Sequence, residues 1–240
     1  MKSALRVLFP GIAWWGATLI PLVVTAFYAT YFSRLFSATD LLHVHFAVFM
    51  LWVILLVVQP FLILRNSLKA HRIAGRASYF IIPAVVITTW LVITKTADDM
   101  IRSDWQLSSI EKESIFVPIV FLIWLVVFYL LAMVYRRRPV DHATYMLSSA
   151  LTLLGPTMDR ILFQVYRYFD MGFNMFAEFF TFVLIDAILI SLLFYQMRKA
   201  YSLRAVITCI VIYLAGQTAY VFIPESVGWE WFIRTVFDPD

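Results

Sequence analysis

The chain has 240 residues, of which 62% are hydrophobic and 14% charged, with a net charge of +4 and one cysteine. A soluble domain carries roughly 25% charged and about 45–50% apolar residues. This composition therefore excludes an ordinary water-soluble globule and points to a lipid bilayer, whose core solvates apolar side chains directly. The lone Cys209 excludes an internal disulfide framework. The small positive balance sits in loops and reads as topology information, not as a nucleic-acid footprint.

A helix needs about 20 predominantly apolar residues to cross the hydrocarbon core. Seven stretches qualify in chain order, at roughly 11–33, 42–64, 78–97, 115–135, 144–166, 173–196 and 204–223. The runs are continuous and do not alternate with period two, which predicts helices and not a barrel. The polar segments between them are short, and no internal repeat or low-complexity tract interrupts them. The expectation is an all-α polytopic bundle of about seven transmembrane helices, a single domain over 1–240. Met1–Arg6 has the basic start of a signal peptide. The apolar run after it has the length of a span and no clear small-residue cleavage site, so it is expected to stay as a helix.

Lys and Arg in the loops predict the orientation. One set of loops holds Lys2, Arg6, Arg65, Lys69, Arg72, Arg76, Arg136, Arg137, Arg138, Arg198, Lys199 and Arg204, twelve of the nineteen basic residues. The rule places the N-terminus in the cytoplasm and the C-terminus outside. Trp14, Trp15, Trp105, Trp229 and Trp231 lie near the ends of the runs, where aromatic belts are expected.

Ionisable side chains in hydrocarbon are costly and normally face the bundle interior or a cavity. In the second run His45, Trp52 and Gln59 are spaced by seven. At about 100° per residue they return to within about 20° of one face. His43 points to nearly the opposite side, so a regular helix cannot bring both histidines to one metal ion. In the fifth run Tyr145, Ser149, Thr152, Pro156 and Asp159 fall within about 80° of one another. Pro156 is expected to kink this helix. Asp159 would lie roughly 22 Å across, with Arg160 beside it, and one reading is that Asp159, or Arg160 through another carboxylate, forms a structural ion pair. The sixth run adds Glu178 near the outer surface and Asp186 near mid-membrane. The third ends outside with Asp98 and Asp99. His45, Asp159 and Glu178, with one of Asp98 or Asp99, can share one level near the outer face. Imidazole plus carboxylates suits a divalent metal ion or a proton path. Interfacial hydrogen bonding and helix packing is the other reading.

A second group lies on the cytoplasmic side. His71 sits in the basic segment Lys69–Arg76, and His142 follows Arg136–Arg138. Paired imidazoles hold haem b in one reading. Phospholipid-headgroup contact and helix capping by basic loops is the other.

The string His45…Gln59…Arg65…His71–Arg72–x–x–Gly75–Arg76, followed by His142–x–x–Tyr145–Met146 and Arg160, resembles a bacterial family of multi-pass membrane proteins of unknown function. The likeness covers roughly 43–160, and H-R-x-x-G-R is its most specific element. This chain has Tyr145 where the family tends to have Trp, and Ala143 where it tends to have Arg. The resemblance implies a membrane bundle in a bacterial inner membrane and marks His45, His71 and His142. It implies no reaction.

No phosphate-cradling glycine loop, H-E-x-x-H, C-x-x-C or nucleophile elbow is present, which lowers the odds of a conventional ATPase, zincin or serine hydrolase. Three functions remain: a haem- or metal-binding redox protein, a proton-coupled transporter or channel for a small solute or ion, and a non-catalytic assembly subunit. The first is favoured, because four histidines lie near helix ends and three match the family pattern.

Overall fold

A computed structural model describes residues 11–103, 107–169 and 176–237. The described residues are helical, with no strand among them. In chain order the helices are α1 (Ile12–Ala17), α2 (Leu19–Tyr28), a 3-10 turn (Phe32–Ser37), α3 (Asp40–Leu64), α4 (Leu68–Arg76), α5 (Ser78–Ser103), α6 (Ser109–Val134), α7 (Pro139–Leu151), α8 (Leu154–Tyr168), α9 (Phe176–Arg198), α10 (Arg204–Phe222) and α11 (Val227–Phe237). Five stretches are long and apolar enough to cross a membrane: Asp40–Leu64, Leu68–Arg102, Ser109–Val134, Glu178–Arg198 and Arg204–Phe222. That is the construction of a helical integral membrane protein. Lys2, Arg6, Trp105 and the start of the run at 173–196 lie outside the described residues.

Two of the seven expected runs are broken. The run at 11–33 divides at Thr18 and ends in the 3-10 turn, and the run at 144–166 divides at Thr152–Leu153. Pro21 and Pro156 each fall in the third position of the helix after the break. A proline there needs no N–H donor, whereas in a continuous helix its ring would meet the carbonyl four residues back. The interruption just before Pro156, with Thr152 still at right-handed helical angles, agrees with the kink expected there. Pro60, Pro83 and Pro118 lie inside unbroken helices.

The chain divides into two compact units, Met1–Thr88 with Leu154–Thr181, and Thr89–Leu153 with Phe182–Asp240. In the first, α1 and α2 pack on α3, α2 packs on α8, and α4 folds back against α3. The core holds Val23, Ala26, Phe27, Phe49, Trp52, Val53 and Leu56. On α3, Trp52 is fully buried, whereas Val44, Leu51, Ile54 and Val58 are exposed and form the face suited to lipid. The turn into α4 closes with Ser67 N–H donating to Leu62 O and Asn66 N–H to Ile63 O. Asn66 takes φ 55° there, a left-handed conformation that asparagine tolerates better than most residues.

In the second unit α6 opens with a capping box, the Glu111 carboxylate accepting from Ser108 N–H at 2.8 Å and Glu111 N–H donating to Ser108 Oγ. α6 and α7 form a close hairpin, and α10 packs on both. Trp124, Phe128 and Tyr213 fill the space between α6 and α10. The sequence reading assigned no helix after 223, yet α11 buries Trp229, Ile233 and Phe237 on one stripe. Trp229 is 7% exposed, packs its ring on Phe116 and donates Nε1–H to Lys112 O. It is therefore a core residue and not a belt anchor, while Trp14 (70%) and Trp231 (67%) are exposed as expected.

Glu230 on α11 receives Arg234 at 2.9 Å and Lys112 at 3.2 Å. Hydrogen bonds from Arg234 and then Lys112 hold its carboxyl below the usual glutamate range. A lowered folded-state value contributes stability above the unfolded value of about 4.3, and that contribution is lost as pH falls through the folded value. Glu230→Gln is expected to lower the melting temperature in detergent near neutral pH. The gap to the native chain should close below about pH 4. A gap that stays constant on acidification would contradict this.

Candidate functional site

The broken helices α2 and α8 meet on the first unit, and the polar residues of the sequence gather beside their contact. Pro156, the third residue of α8, sets the helix start, and Asp159, Arg160 and Gln164 follow within its next two turns. Gln164 Nε2–H donates to Ala26 O of α2 at 3.1 Å and to Arg160 O at 3.2 Å. Arg160 lies over the Phe27 ring, 4.4 Å from its centroid, and donates Nη1–H to Pro156 O at 2.8 Å. These are the two partners that a guanidinium finds where water is scarce, an aromatic face and a carbonyl oxygen.

α3 and α5 supply the other wall. His45 Nδ1 lies 3.2 Å from Thr88 Oγ1. The single hydroxyl proton of Thr88 goes to Ala84 O at 2.8 Å, so Thr88 Oγ1 accepts and His45 Nδ1–H donates. In the neutral ring this leaves Nε2 with a free lone pair. The charge of Arg160 acts on this imidazole, which places the two in one neighbourhood. Among the described residues, no hydrogen bond or ion pair reaches the carboxylate of Asp159; its electrostatic partner is its neighbour Arg160. Among the described residues, a cation–ring contact and a carbonyl hydrogen bond take the place of the expected ion pair of Asp159 or Arg160.

His43 and His45 take different partners, as their spacing requires. His43 Nδ1 lies 2.9 Å from Tyr31 Oη, with the two rings in edge contact. Glu178 is half-buried in the first turn of α9. Asp98 and Asp99 fall in the second unit and are engaged along their own helix, Asp98 by Arg102 Nε at 2.7 Å and Asp99 by Lys95 at 3.5 Å. Among the described residues no group of three or more His, Cys, Asp or Glu side chains is arranged to hold a metal ion. The set His45, Asp159 and Glu178 is not assembled as metal ligands.

Gln59, His71 and Gly75 form the joint between α3 and α4. Gln59 Nε2–H donates to His71 O at 3.2 Å, and a Cβ at Gly75 would lie 3.4 Å from that nitrogen. Two elements of the resemblance, the glutamine and the H-R-x-x-G-R loop, thus touch one another. His142 opens α7 and donates Nδ1–H to Ala132 O at 2.8 Å, one of the last-turn carbonyls of α6 that lacks an intrahelical donor. His71 belongs to the first unit and His142 to the second.

Sequence reasoning missed Thr88, Gln164 and Phe27. Thr88 and Phe27 lie in apolar runs and carry no periodic signal of their own. Gln164, four residues after Arg160, was visible as a polar residue on the same face. The hydroxyls of the predicted stripe bond to their own helix, Ser149 to Met146 O and Thr152 to Ser149 O, and so offer little to a ligand. Compared with known proteins, the chain matches no family model, no curated protein and no solved structure.

Proposed function

We propose that the protein is a proton-coupled transporter of a small solute in a bacterial inner membrane. It crosses seven times, with the N-terminus inside and the C-terminus outside. The observation that carries the reading is the meeting of two Pro-interrupted apolar segments, α2 and α8, beside His45, Asp159 and Arg160. Transporters bind substrates and coupling ions where discontinuous helices expose polar groups inside the membrane, and paired Gly/Pro-interrupted runs mark such places in a sequence. Seven crossings count the two broken runs as spans, and the basic loops then fall on one side. In this reading Asp159 and His45 carry the proton and Arg160 orients the solute.

The test is proton movement in proteoliposomes loaded with a pH-sensitive dye and challenged with a panel of small carboxylates, amino acids and sugars. The native chain is expected to move protons with at least one of them. Asp159→Asn and His45→Ala abolish that flux, and Asp98→Asn leaves it unchanged. Native flux with none of the panel, or flux retained in Asp159→Asn, ends the proposal.

The haem or divalent-metal reading keeps one supporting observation: the hydrogen bond at His142 Nδ1 leaves Nε2 as the ligand atom. An absorption spectrum of the purified protein decides it, since a Soret band would replace transport by redox chemistry with His142 as a ligand.

A further inference from the structure

The second unit contains a polar site that the transport reading does not use. Asp141 is the third residue of α7, and Gln196 is the third from the end of α9. Both adjoin basic loops, Arg136–Arg138 and Arg198–Lys199. Asp141 is 4% exposed and Gln196 fully buried. Gln196 Nε2–H donates to Thr144 Oγ1 at 2.8 Å, and Thr144 sits three residues after Asp141 on the same face of α7. The two buried acceptors of this group, Asp141 Oδ1 and Gln196 Oε1, have no hydrogen-bond partner among the described residues. The other carboxylate oxygen faces the exposed Arg138 at 3.8 Å, a long, solvent-screened contact.

We infer that Asp141, Thr144 and Gln196 form a site for a sodium ion. An oxygen acceptor buried without a donor is costly. Two of them, next to a hydroxyl that itself accepts from Gln196, are satisfied together by one positive ligand. Carboxylate, amide and hydroxyl oxygens are the hard donors that alkali and alkaline-earth cations take. One carboxylate supplies one negative charge, which balances a monovalent ion, whereas all-protein divalent sites recruit several carboxylates. Dehydrating the ion is repaid by the oxygens that the helices already hold in place. The inference stands independently of the transport reading, since its residues lie in the other unit.

The experiment compares the melting temperature of the full chain in detergent with NaCl and with choline chloride at equal ionic strength. Sodium is expected to raise it, saturably, by about 3–5 °C at ten times the Kd. Asp141→Asn and Gln196→Leu should each remove the sodium-specific rise. Glu111→Gln, in the α6 cap, should keep it. Should neither variant fold, binding of radioactive sodium to the native chain decides, and saturable binding at one ion per chain is expected. Equal shifts in choline, no sodium-specific shift, a shift retained in Asp141→Asn, or no saturable binding would each overturn the inference. In that case ordered water satisfies the two oxygens.

Discussion

Replacing Gly216 by alanine should destabilise the protein by about 2 kcal/mol. A Cβ built at Gly216 would lie 2.6 Å from Trp124 Cε2 and 2.7 Å from Nε1. Neither helix can yield easily. The Trp124 indole donates Nε1–H to Ile212 O at 3.2 Å and is held by Phe121, Phe182 and Tyr213. The atoms in the way are ring atoms, not the end of a flexible chain. Overpacking of this kind costs about 1–3 kcal/mol, and the upper end applies to a locked ring. The better helix propensity of alanine returns roughly 1 kcal/mol. Thermal or SDS denaturation in micelles measures the difference. The double variant Gly216→Ala with Trp124→Phe should recover much of the loss, because the smaller ring vacates the space. A single variant as stable as the native chain would show that α6 and α10 are not packed as described.

Arg160→Leu should have the other large effect, and on two measurements. It removes a guanidinium that lies over Phe27 and holds Pro156 O, with a direct cost of about 1–3 kcal/mol. It also leaves Asp159 without the neighbouring cation that acts on its carboxylate. Isolated charge in a low-dielectric setting is far more costly than a neutral group. Adding Asp159→Asn to Arg160→Leu should therefore restore stability toward native, a coupling that independent sites would not show. Solute-driven proton flux should be absent in both variants, because the site has lost its charges even where the fold returns. Arg160→Lys should stabilise only in part, since an ammonium lacks the planar face that stacks on Phe27. Simple additivity of the two substitutions would mean that the Arg160 charge does not stabilise the Asp159 carboxylate.

Membrane character was legible in the sequence because it rests on composition and run length, which no packing arrangement alters. The helices at Asp40–Leu64, Ser109–Val134 and Arg204–Phe222 follow their apolar runs closely for the same reason. The inward turn of Trp52 follows from helical periodicity alone. The incompatibility of His43 and His45 as ligands of one ion was likewise settled by periodicity, and each ring has its own partner.

Other features were decided by tertiary structure. Five prolines lie in apolar runs, and nothing local to Pro21 or Pro156 states that the chain breaks there while it continues through Pro60, Pro83 and Pro118. The outcome depends on whether neighbouring helices supply contacts for the interrupted backbone. The partner of His45 is Thr88, forty-three residues away, and that of Arg160 is Phe27 on a separate helix. Trp229 was read as an interfacial anchor, because a tryptophan near a span end has the same composition signal whether it meets headgroups or Phe116. Asp141 and Gln196 stood unremarked next to basic loops, where charged and amide residues are ordinarily solvated. Only burial strips them of water, and burial is a property of the packed helices. The sequence by itself determined which segments prefer lipid and which faces of them are polar. The tertiary structure decided which polar groups meet, because that choice is made by long-range packing, to which a one-dimensional pattern of hydropathy is blind.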